Sequence, residues 1–357
     1  MQSAEVERVV TAVVDPYLER PLGASVRAVT VHGDRAEVEL ALGFPVGGYE
    51  SELSARVSDA LTKAGFKGRT TLKLSAEITA HAVQKGLQPM AGIKNVLAIA
   101  SGKGGVGKST VAANLALALA RQGAAVGLLD ADIYGPSQPL MMGLTGQRPV
   151  SRDGRKIEPL SAYGVAVMSI GFLIDAAQPM VWRGPMVSQA LAQLLSETDW
   201  GGRDYLIVDM PPGTGDAQLT LAQRVPVSGA IIVTTPQDIA LLDARKGLQM
   251  FRKVEVPVLG LIENMSSHVC PQCGHEESIF GAGGGARMAQ EYGIPLLGSL
   301  PLDIRIREQA DGGRPTVVAD PDGPLAARYL AIARRAAARL ATQDAGPAFP
   351  TLSVADD

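Results

Sequence analysis

One glycine-rich run has the residue types and spacing needed to bind the phosphates of a nucleotide. Residues 102–109 read GKGGVGKS, which fits G-x-x-x-x-G-K-[ST], and they lie between a strand predicted at Val96–Ala100 and a helix predicted at Thr110–Arg121. Glycines let backbone N–H groups turn toward an anion, and the helix N-terminus adds a positive dipole. Lys108 is expected to reach the β- and γ-phosphates, and Ser109 to ligate Mg²⁺. The predicted nucleotide contacts in this phosphate-binding loop (P-loop) are Gly102, Lys103, Gly104, Gly105, Val106, Gly107, Lys108, Ser109 and Thr110.

Three aspartates follow apolar runs that read as strands. Asp130 and Asp132 follow the predicted strand Ala125–Leu129, and Asp209 follows the predicted strand Tyr205–Val208. Because ligands of open α/β sheets bind beyond the carboxyl ends of the strands, we expect these carboxylates near the phosphates. The predicted magnesium region is Ser109, Asp130 and Asp209, and the predicted catalytic residues on this face are Lys108, Asp132 and Asp209.

A second lysine in the loop, Lys103, is not required by the simple motif. The form Lys-Gly-Gly-Val-Gly-Lys-Ser-Thr resembles the deviant Walker A loop of the nitrogenase iron protein and of the partition and division-site ATPases. That resemblance implies an ATP-sandwich homodimer in which Lys103 is catalytic and stabilises transition-state charge at the partner's nucleotide. It also makes Asn264, after the predicted strand Val258–Ile262, a candidate adenine contact, although a turn asparagine is an equally good interpretation. The guanine-reading pattern Asn-Lys-x-Asp is absent, which favours ATP over GTP.

Both cysteines of the sequence, Cys270 and Cys273, form one C-x-x-C motif flanked by His268 and His275. A zinc site made by these four residues would have shorter spacing than ordinary Cys₂His₂ sites. A redox dithiol normally opens a helix, which this sequence does not favour, and a surface pair of free cysteines is a further alternative. A cubane iron–sulfur cluster needs about four thiolates. The implied homodimer would supply two from each subunit, so one cluster bridging two subunits is the favoured interpretation.

Six motifs together resemble those of the Mrp-type (ApbC) iron–sulfur cluster carrier ATPases: 101–110, 130–137, 182–185, 204–216, 263–266 and 270–275. The resemblance covers roughly 95–310. It implies binding of a 4Fe–4S cluster and its transfer to apo-proteins, linked to ATP binding and slow hydrolysis with Mg²⁺. The implied partners are a second copy of the chain, apo iron–sulfur proteins and a cluster donor. The N-terminal part resembles the MIP18-like domain that is often fused there, but it lacks cysteine, so no cluster chemistry is assigned to it.

Two other functions are consistent with the P-loop. A dimerising positioning switch of the partition or division-site type would act on DNA or membrane, and it leaves the C-x-x-C motif without a role. An ATP-driven electron donor like the nitrogenase iron protein takes one thiolate from each of two distant segments. The adjacent pair Cys270 and Cys273 therefore favours the carrier.

The apolar pattern predicts a doubly wound, mostly parallel α/β sheet behind a small α+β unit. Most of the apolar runs after residue 94 are continuous, as in strands buried on both faces of a parallel sheet. The predicted sheet strands are Val96–Ala100, Ala125–Leu129, Val165–Ile170, Tyr205–Val208, Ala230–Val233, Val258–Ile262 and Pro295–Leu300. The predicted domains are a MIP18-like unit at 1–80, a linker at 81–94, the ATPase domain at 95–343 and a flexible tail at 344–357.

Composition and charge limit the possible partners and the cellular location of the protein. The 357 residues carry 33 Lys+Arg against 36 Asp+Glu, and this net charge of −3 gives no global basic field for nucleic acid or an acidic membrane. The N-terminus lacks the basic and apolar regions of a signal peptide, and no apolar run reaches the length of a membrane span. We therefore predict a cytoplasmic protein without nucleic-acid partners or stable membrane association.

Overall fold

The computed structural model describes residues 1–151, 154–173, 184–270 and 272–343, with backbone only at 184–188 and 216–217. The tail predicted at 344–357 lies outside these residues, as do Trp182 and Arg183 of the 182–185 motif. No helix in the described part of the chain is both long enough and apolar enough to cross a bilayer.

The N-terminal part folds as a three-stranded sheet covered by two helices. Alternation in the central strand places Val38 and Leu40 in the core, while Glu37 lies on the other face. The three strands lie side by side in chain order, the first pair antiparallel and the second pair parallel. The elements are α1 (Ser3–Ala12), β1 (Val14–Asp15), β2 (Arg20–Pro21), β3 (Val26–His32), β4 (Arg35–Leu42), α2 (Glu50–Lys63) and β5 (Arg69–Ala76).

The remaining elements alternate between strands and helices. Their short connections place most helices directly after a strand, as expected for a doubly wound sheet. They are β6 (Ile93–Ala100), α3 (Lys108–Arg121), β7 (Val126–Asp130), α4 (Gln138–Met141), β8 (Leu160–Ala162), β9 (Val165–Ser169), α5 (Gly184–Glu197), β10 (Arg203–Asp209), α6 (Asp216–Arg224), β11 (Gly229–Thr234), α7 (Asp238–Lys253), β12 (Val258–Glu263), β13 (His268–Val269), β14 (Glu276–Glu277), α8 (Gly284–Tyr292), β15 (Leu296–Ser299), α9 (Ile304–Asp311), α10 (Thr316–Ala319) and α11 (Pro324–Ala341).

The main sheet has eight strands in the order β15-β12-β11-β6-β10-β7-β9-β8. All neighbours pair in parallel except β8, which runs antiparallel to β9 at one edge. The interior strands β7, β9 and β11 are buried at every position, which explains their continuous apolar sequence. The predicted α/β class and all seven predicted strands are confirmed, whereas β8 was not predicted.

The connecting segment predicted as a linker is anchored to the part of the chain that forms the main sheet. The Gln84 side-chain amide donates to the carbonyl oxygens of Ala222 (2.7 Å) and Val225 (3.1 Å). Its carbonyl accepts the N–H of Val227 at 2.8 Å. Strand β6 already begins at Ile93, so the segment packs against the sheet and its helices.

Arg334 on α11 joins the N-terminal unit to the part of the chain that forms the main sheet. Its guanidinium lies 5.3 Å from the ring centroid of Tyr17 and 5.0 Å from that of Tyr49, and it donates to the carbonyl oxygen of Gly47 at 2.8 Å. The side chain is 7% exposed. Two aromatic faces and a carbonyl stabilise the guanidinium, while its buried Nε atom has no hydrogen-bond partner among the described residues. This contact should hold the two parts together.

Replacing Arg334 with alanine should lower the free energy of unfolding by about 2–3 kcal/mol, since it removes a buried charged hydrogen bond and two cation–π contacts. Thermal and urea unfolding measure the loss. Arg339→Ala on the exposed side of the same helix is the matched control, with an expected change within about 0.5 kcal/mol. Equal losses in the two variants would contradict the role given to Arg334.

Candidate functional site

The P-loop lies at the carboxyl end of β6, in the central part of the main sheet. Gly105 and Gly107 have φ angles of 82° and 81°, which favour glycine, and Gly107 directly precedes the first residue of α3. A Cβ at Gly102 would collide with the backbone of Asp243, and one at Gly107 would collide with the Asn264 amide. The close approach of these neighbours therefore explains why Gly102 and Gly107 are glycines. The positive φ angles of the turn are a separate reason at Gly105 and Gly107.

A buried ion pair joins the P-loop to β10. Lys108 Nζ contacts Asp209 Oδ1 in a pair whose side chains are 5% and 0% exposed. Lys108 Nζ also donates to Ser109 Oγ at 3.2 Å. The structure thus brings together the lysine, serine and aspartate that the motifs predicted.

Gln138, which the sequence analysis missed, ties the same groups together. Its amide nitrogen donates to Asp209 Oδ2 at 2.9 Å and to the carbonyl oxygen of Ser109 at 3.0 Å. Its backbone N–H donates to Asp130 Oδ2 at 3.1 Å. The only sequence signal was its position directly after the 130–137 motif, at the start of the short helix α4.

Asp130 is fully buried and is occupied by hydrogen bonds within the protein. Besides the bond from Gln138, its carboxylate accepts Ser169 Oγ at 3.0 Å and the N–H of Asp132 at 3.2 Å. Burial, followed by the nearby charge of Asp209, raises the pKa of Asp130 to about 7. These bonds position the loop after β7, while direct participation of Asp130 in the magnesium region stays a prediction.

Three buried oxygen atoms beside this cluster have no hydrogen-bond partner among the residues that the structure describes: Asp132 Oδ1, Ser137 Oγ and Gln138 Oε1. Burial also raises the pKa of Asp132. Mg²⁺ prefers oxygen ligands and keeps several of its waters, which in turn need acceptors. The orphaned oxygens, with Ser109 and Asp209 adjacent, therefore fit a hydrated Mg²⁺ ion bound with nucleotide phosphates.

Lys103 is half-buried at the front of the P-loop. Its carbonyl oxygen accepts Ser101 Oγ at 2.9 Å, which fixes the backbone. Within the described residues, its Nζ atom has no hydrogen-bond or ion-pair partner. The ammonium group is therefore free to contact a group outside the chain.

Asn264 lies against the P-loop and is 8% exposed. Its side-chain amide donates to the carbonyl oxygen of Val106 at 2.9 Å, and its backbone N–H donates to the carbonyl oxygen of Thr234 at 2.8 Å. The structure thus places Asn264 against the P-loop, and contact with adenine stays a prediction.

The two cysteines are presented by a small antiparallel hairpin formed by β13 and β14. Cys270 N–H donates to the carbonyl oxygen of His275, and Gly274 N–H donates to that of Cys270, each at 2.9 Å. Gly274 has a φ angle of 72°, which closes the turn. Cys270 is partly exposed and Cys273 is exposed.

The turn favours the thiolate form of Cys270. The backbone N–H groups of Cys273 and Gln272 donate to its sulfur, and these hydrogen bonds lower the pKa of the thiol. Thiolate is the form that binds metals. Among the described residues no three histidine, cysteine, aspartate or glutamate side chains are grouped to hold a metal ion, so the four-ligand zinc set is not assembled.

Comparison with known proteins shows the family. The family model described as "ParA: NUBPL iron-transfer P-loop NTPase" matches residues 92–337. The chain belongs to this family. Two predictions are thereby confirmed: that the chain is a P-loop nucleotide hydrolase, and that it resembles the iron–sulfur cluster carriers.

Two relatives match the NUBPL-type NTPase over most of their length, and both are named iron–sulfur cluster carrier protein. The Pseudomonas fragi protein is 60% identical over 263 residues, which cover 73% of this chain and 92% of its own. The Haemophilus influenzae protein is 49% identical over 346 residues, which cover 95% of this chain and 92% of that protein. The second match includes the N-terminal unit.

A solved structure supports the fold. The nucleotide-binding protein of Archaeoglobus fulgidus, in complex with ADP, is 37% identical and superposes with a TM-score of 0.56. The match covers 65% of this chain and 90% of that protein.

Proposed function

We propose that this chain carries a 4Fe–4S cluster between two copies of itself and transfers it to apo-proteins, with binding and slow hydrolysis of ATP. The observation that carries the proposal is the hairpin that presents Cys270 and Cys273 together. The sequence contains no other cysteine, and Cys273 is exposed while Cys270 is partly exposed. The names of the relatives support the same cargo.

Thiolate counting supports a shared cluster. A cubane is normally held by four thiolates, and one chain supplies two. A twofold axis would place the same hairpin twice and complete the set. Exposure of Cys273 fits a cluster that a recipient protein must reach.

The nucleotide residues support hydrolysis of ATP at the P-loop. Lys108 and the loop N–H groups would bind the phosphates, and Ser109 would hold Mg²⁺, which neutralises phosphate charge. Asp209 would accept hydrogen bonds from waters around the ion, and Asp132 would orient a water through its unpartnered oxygen. Lys103 of the partner subunit would complete each site.

The partners that follow are a second copy of the chain, a cluster donor and apo iron–sulfur proteins, all in the cytoplasm. The N-terminal unit contains no cysteine, so it would not hold the cluster. We propose that it recruits recipients or donors, with residues 1–80 as the recruiting domain and 95–343 as the carrier domain.

Native mass spectrometry after anaerobic reconstitution tests the proposal. The expected species contains two chains with about four irons and about four sulfides. One zinc ion per chain, or a complete cluster on a single chain, would overturn the bridging arrangement. Transfer to an apo-ferredoxin, followed by the recipient's spectrum, tests the carrier function itself.

A further inference from the structure

We infer that residues 264–270 link the P-loop mechanically to the cysteine hairpin, with Asn264 as the positioning residue at the nucleotide end. The inference rests on the proposed function for its purpose, which is to let bound nucleotide change how the cluster is held. Its structural basis is a series of hydrogen bonds that leads from Val106 to Cys270.

The nucleotide end of the link is one peptide group. The carbonyl of Val106 and the N–H of Gly107 belong to the same planar peptide, so one cannot turn without the other. Loop N–H groups such as that of Gly107 are the ones that bind phosphates. A phosphate that reorients this N–H would therefore also reorient the carbonyl to which Asn264 donates.

Contacts of both its backbone and its side chain restrict the movement of Asn264. Its backbone is bonded to Thr234 at the end of β11, and its side chain is enclosed against Gly107, where a Cβ would not fit. The next residue, Met265, has a φ angle of 57°, which is costly for a residue with a side chain. The chain therefore makes a fixed sharp turn directly after its contact with the P-loop.

The middle of the link is tied to the segment that follows β15. Ser266 donates to the carbonyl oxygen of Leu300 through both its N–H (2.9 Å) and its hydroxyl (3.0 Å). The N–H of Leu302 donates to the carbonyl oxygen of Ser267 at 2.7 Å. Because these bonds fix residues 266 and 267 to that segment, a displacement at Asn264 would move the two segments together instead of being absorbed within the link.

The hairpin end carries the cysteine. One ring nitrogen of His268 lies 3.0 Å from the carbonyl oxygen of Leu302, and His268 also begins β13. Cys270 follows two residues later, and the nearby N–H groups of Gln272 and Cys273 are those that stabilise its thiolate. Those two N–H groups therefore report directly on the geometry around the first thiolate.

Hydrogen exchange of the full-length, cluster-free protein tests the link, with and without a non-hydrolysable ATP analogue and Mg²⁺. In the wild type, we expect nucleotide to slow exchange of the Gln272 and Cys273 amides about tenfold, within the usual range of coupling between sites. In Asn264→Asp, which keeps the shape but cannot donate to a carbonyl, the effect should fall below about twofold. Each variant is measured at the nucleotide concentration that fully protects its P-loop amides.

Two further variants keep the test decisive. Ser266→Ala removes one bond of the link without touching the nucleotide site or the cysteines, and it should reduce the effect to an intermediate value. Ser278→Ala, at an exposed residue directly after the hairpin, should leave the effect unchanged. The inference would be overturned if nucleotide did not slow exchange of the hairpin amides in the wild type. It would also be overturned if nucleotide slowed their exchange fully in both Asn264→Asp and Ser266→Ala. Since no cluster is present, failure here is distinct from failure to carry one.

Discussion

Replacing both Cys270 and Cys273 with serine should abolish 4Fe–4S binding while leaving nucleotide binding intact. Serine hydroxyls do not ionise near neutral pH, so they cannot replace the thiolates that a cluster requires. The hairpin backbone should persist, because the bonds between Cys270 and His275 and between Gly274 and Cys270 are made by main-chain atoms. Iron and sulfide analysis after anaerobic reconstitution should fall from about four of each per dimer to under about 0.4.

The controls for this prediction come from the same hairpin. His275→Ala removes an exposed side chain of the alternative zinc set and should retain the full iron content. Binding of a fluorescent ATP analogue should be the same in wild type and the double variant. Iron that persists in the double variant, or an equal loss in His275→Ala, would show that another set of ligands holds the metal.

Much of the fold was predictable because its signals are local. Continuous apolar runs such as Tyr205–Val208 mark strands that are buried on both faces, and the P-loop sequence specifies a turn between a strand and a helix. The position of Asp209 near the P-loop was predictable as well, since the carboxyl ends of parallel strands meet at one edge of the sheet.

The missed features depend on contacts between distant residues. Gln138 gains its role from atoms of Asp209, Ser109 and Asp130, which come from separate elements, and the four-residue helix that holds it has no detectable period. Strand β8 has three residues, too few to show alternation. Gln84 is fixed by partners about 140 positions away, so nothing near it in the sequence indicates that the predicted linker is packed.

Replacing Lys103 with alanine should reduce ATP hydrolysis by about 10³-fold while nucleotide binding persists. The Lys103 ammonium has no partner in the described part of its own chain, and the backbone of the residue is fixed through Ser101. A charged group brought from a partner subunit to the transferring phosphate typically contributes rate enhancement of at least this size. Lys85→Ala, at an exposed lysine outside the loop, is the control and should hydrolyse ATP at the wild-type rate.

Mixing Lys103→Ala with Lys108→Ala distinguishes action across the dimer from action within one chain. Lys108 lies in the P-loop of its own chain, paired with Asp209, so Lys108→Ala should disable that chain's site while it still offers Lys103 to a partner. If Lys103 acts in trans, each mixed dimer regains one working site, and an equal mixture should recover about a quarter of the wild-type rate by random pairing. If Lys103 serves its own nucleotide, neither chain of the mixed dimer has a complete site and the rate stays near that of the separate variants. The same mixture also reports on the symmetry that the shared cluster requires, because recovery is impossible unless two P-loops face each other.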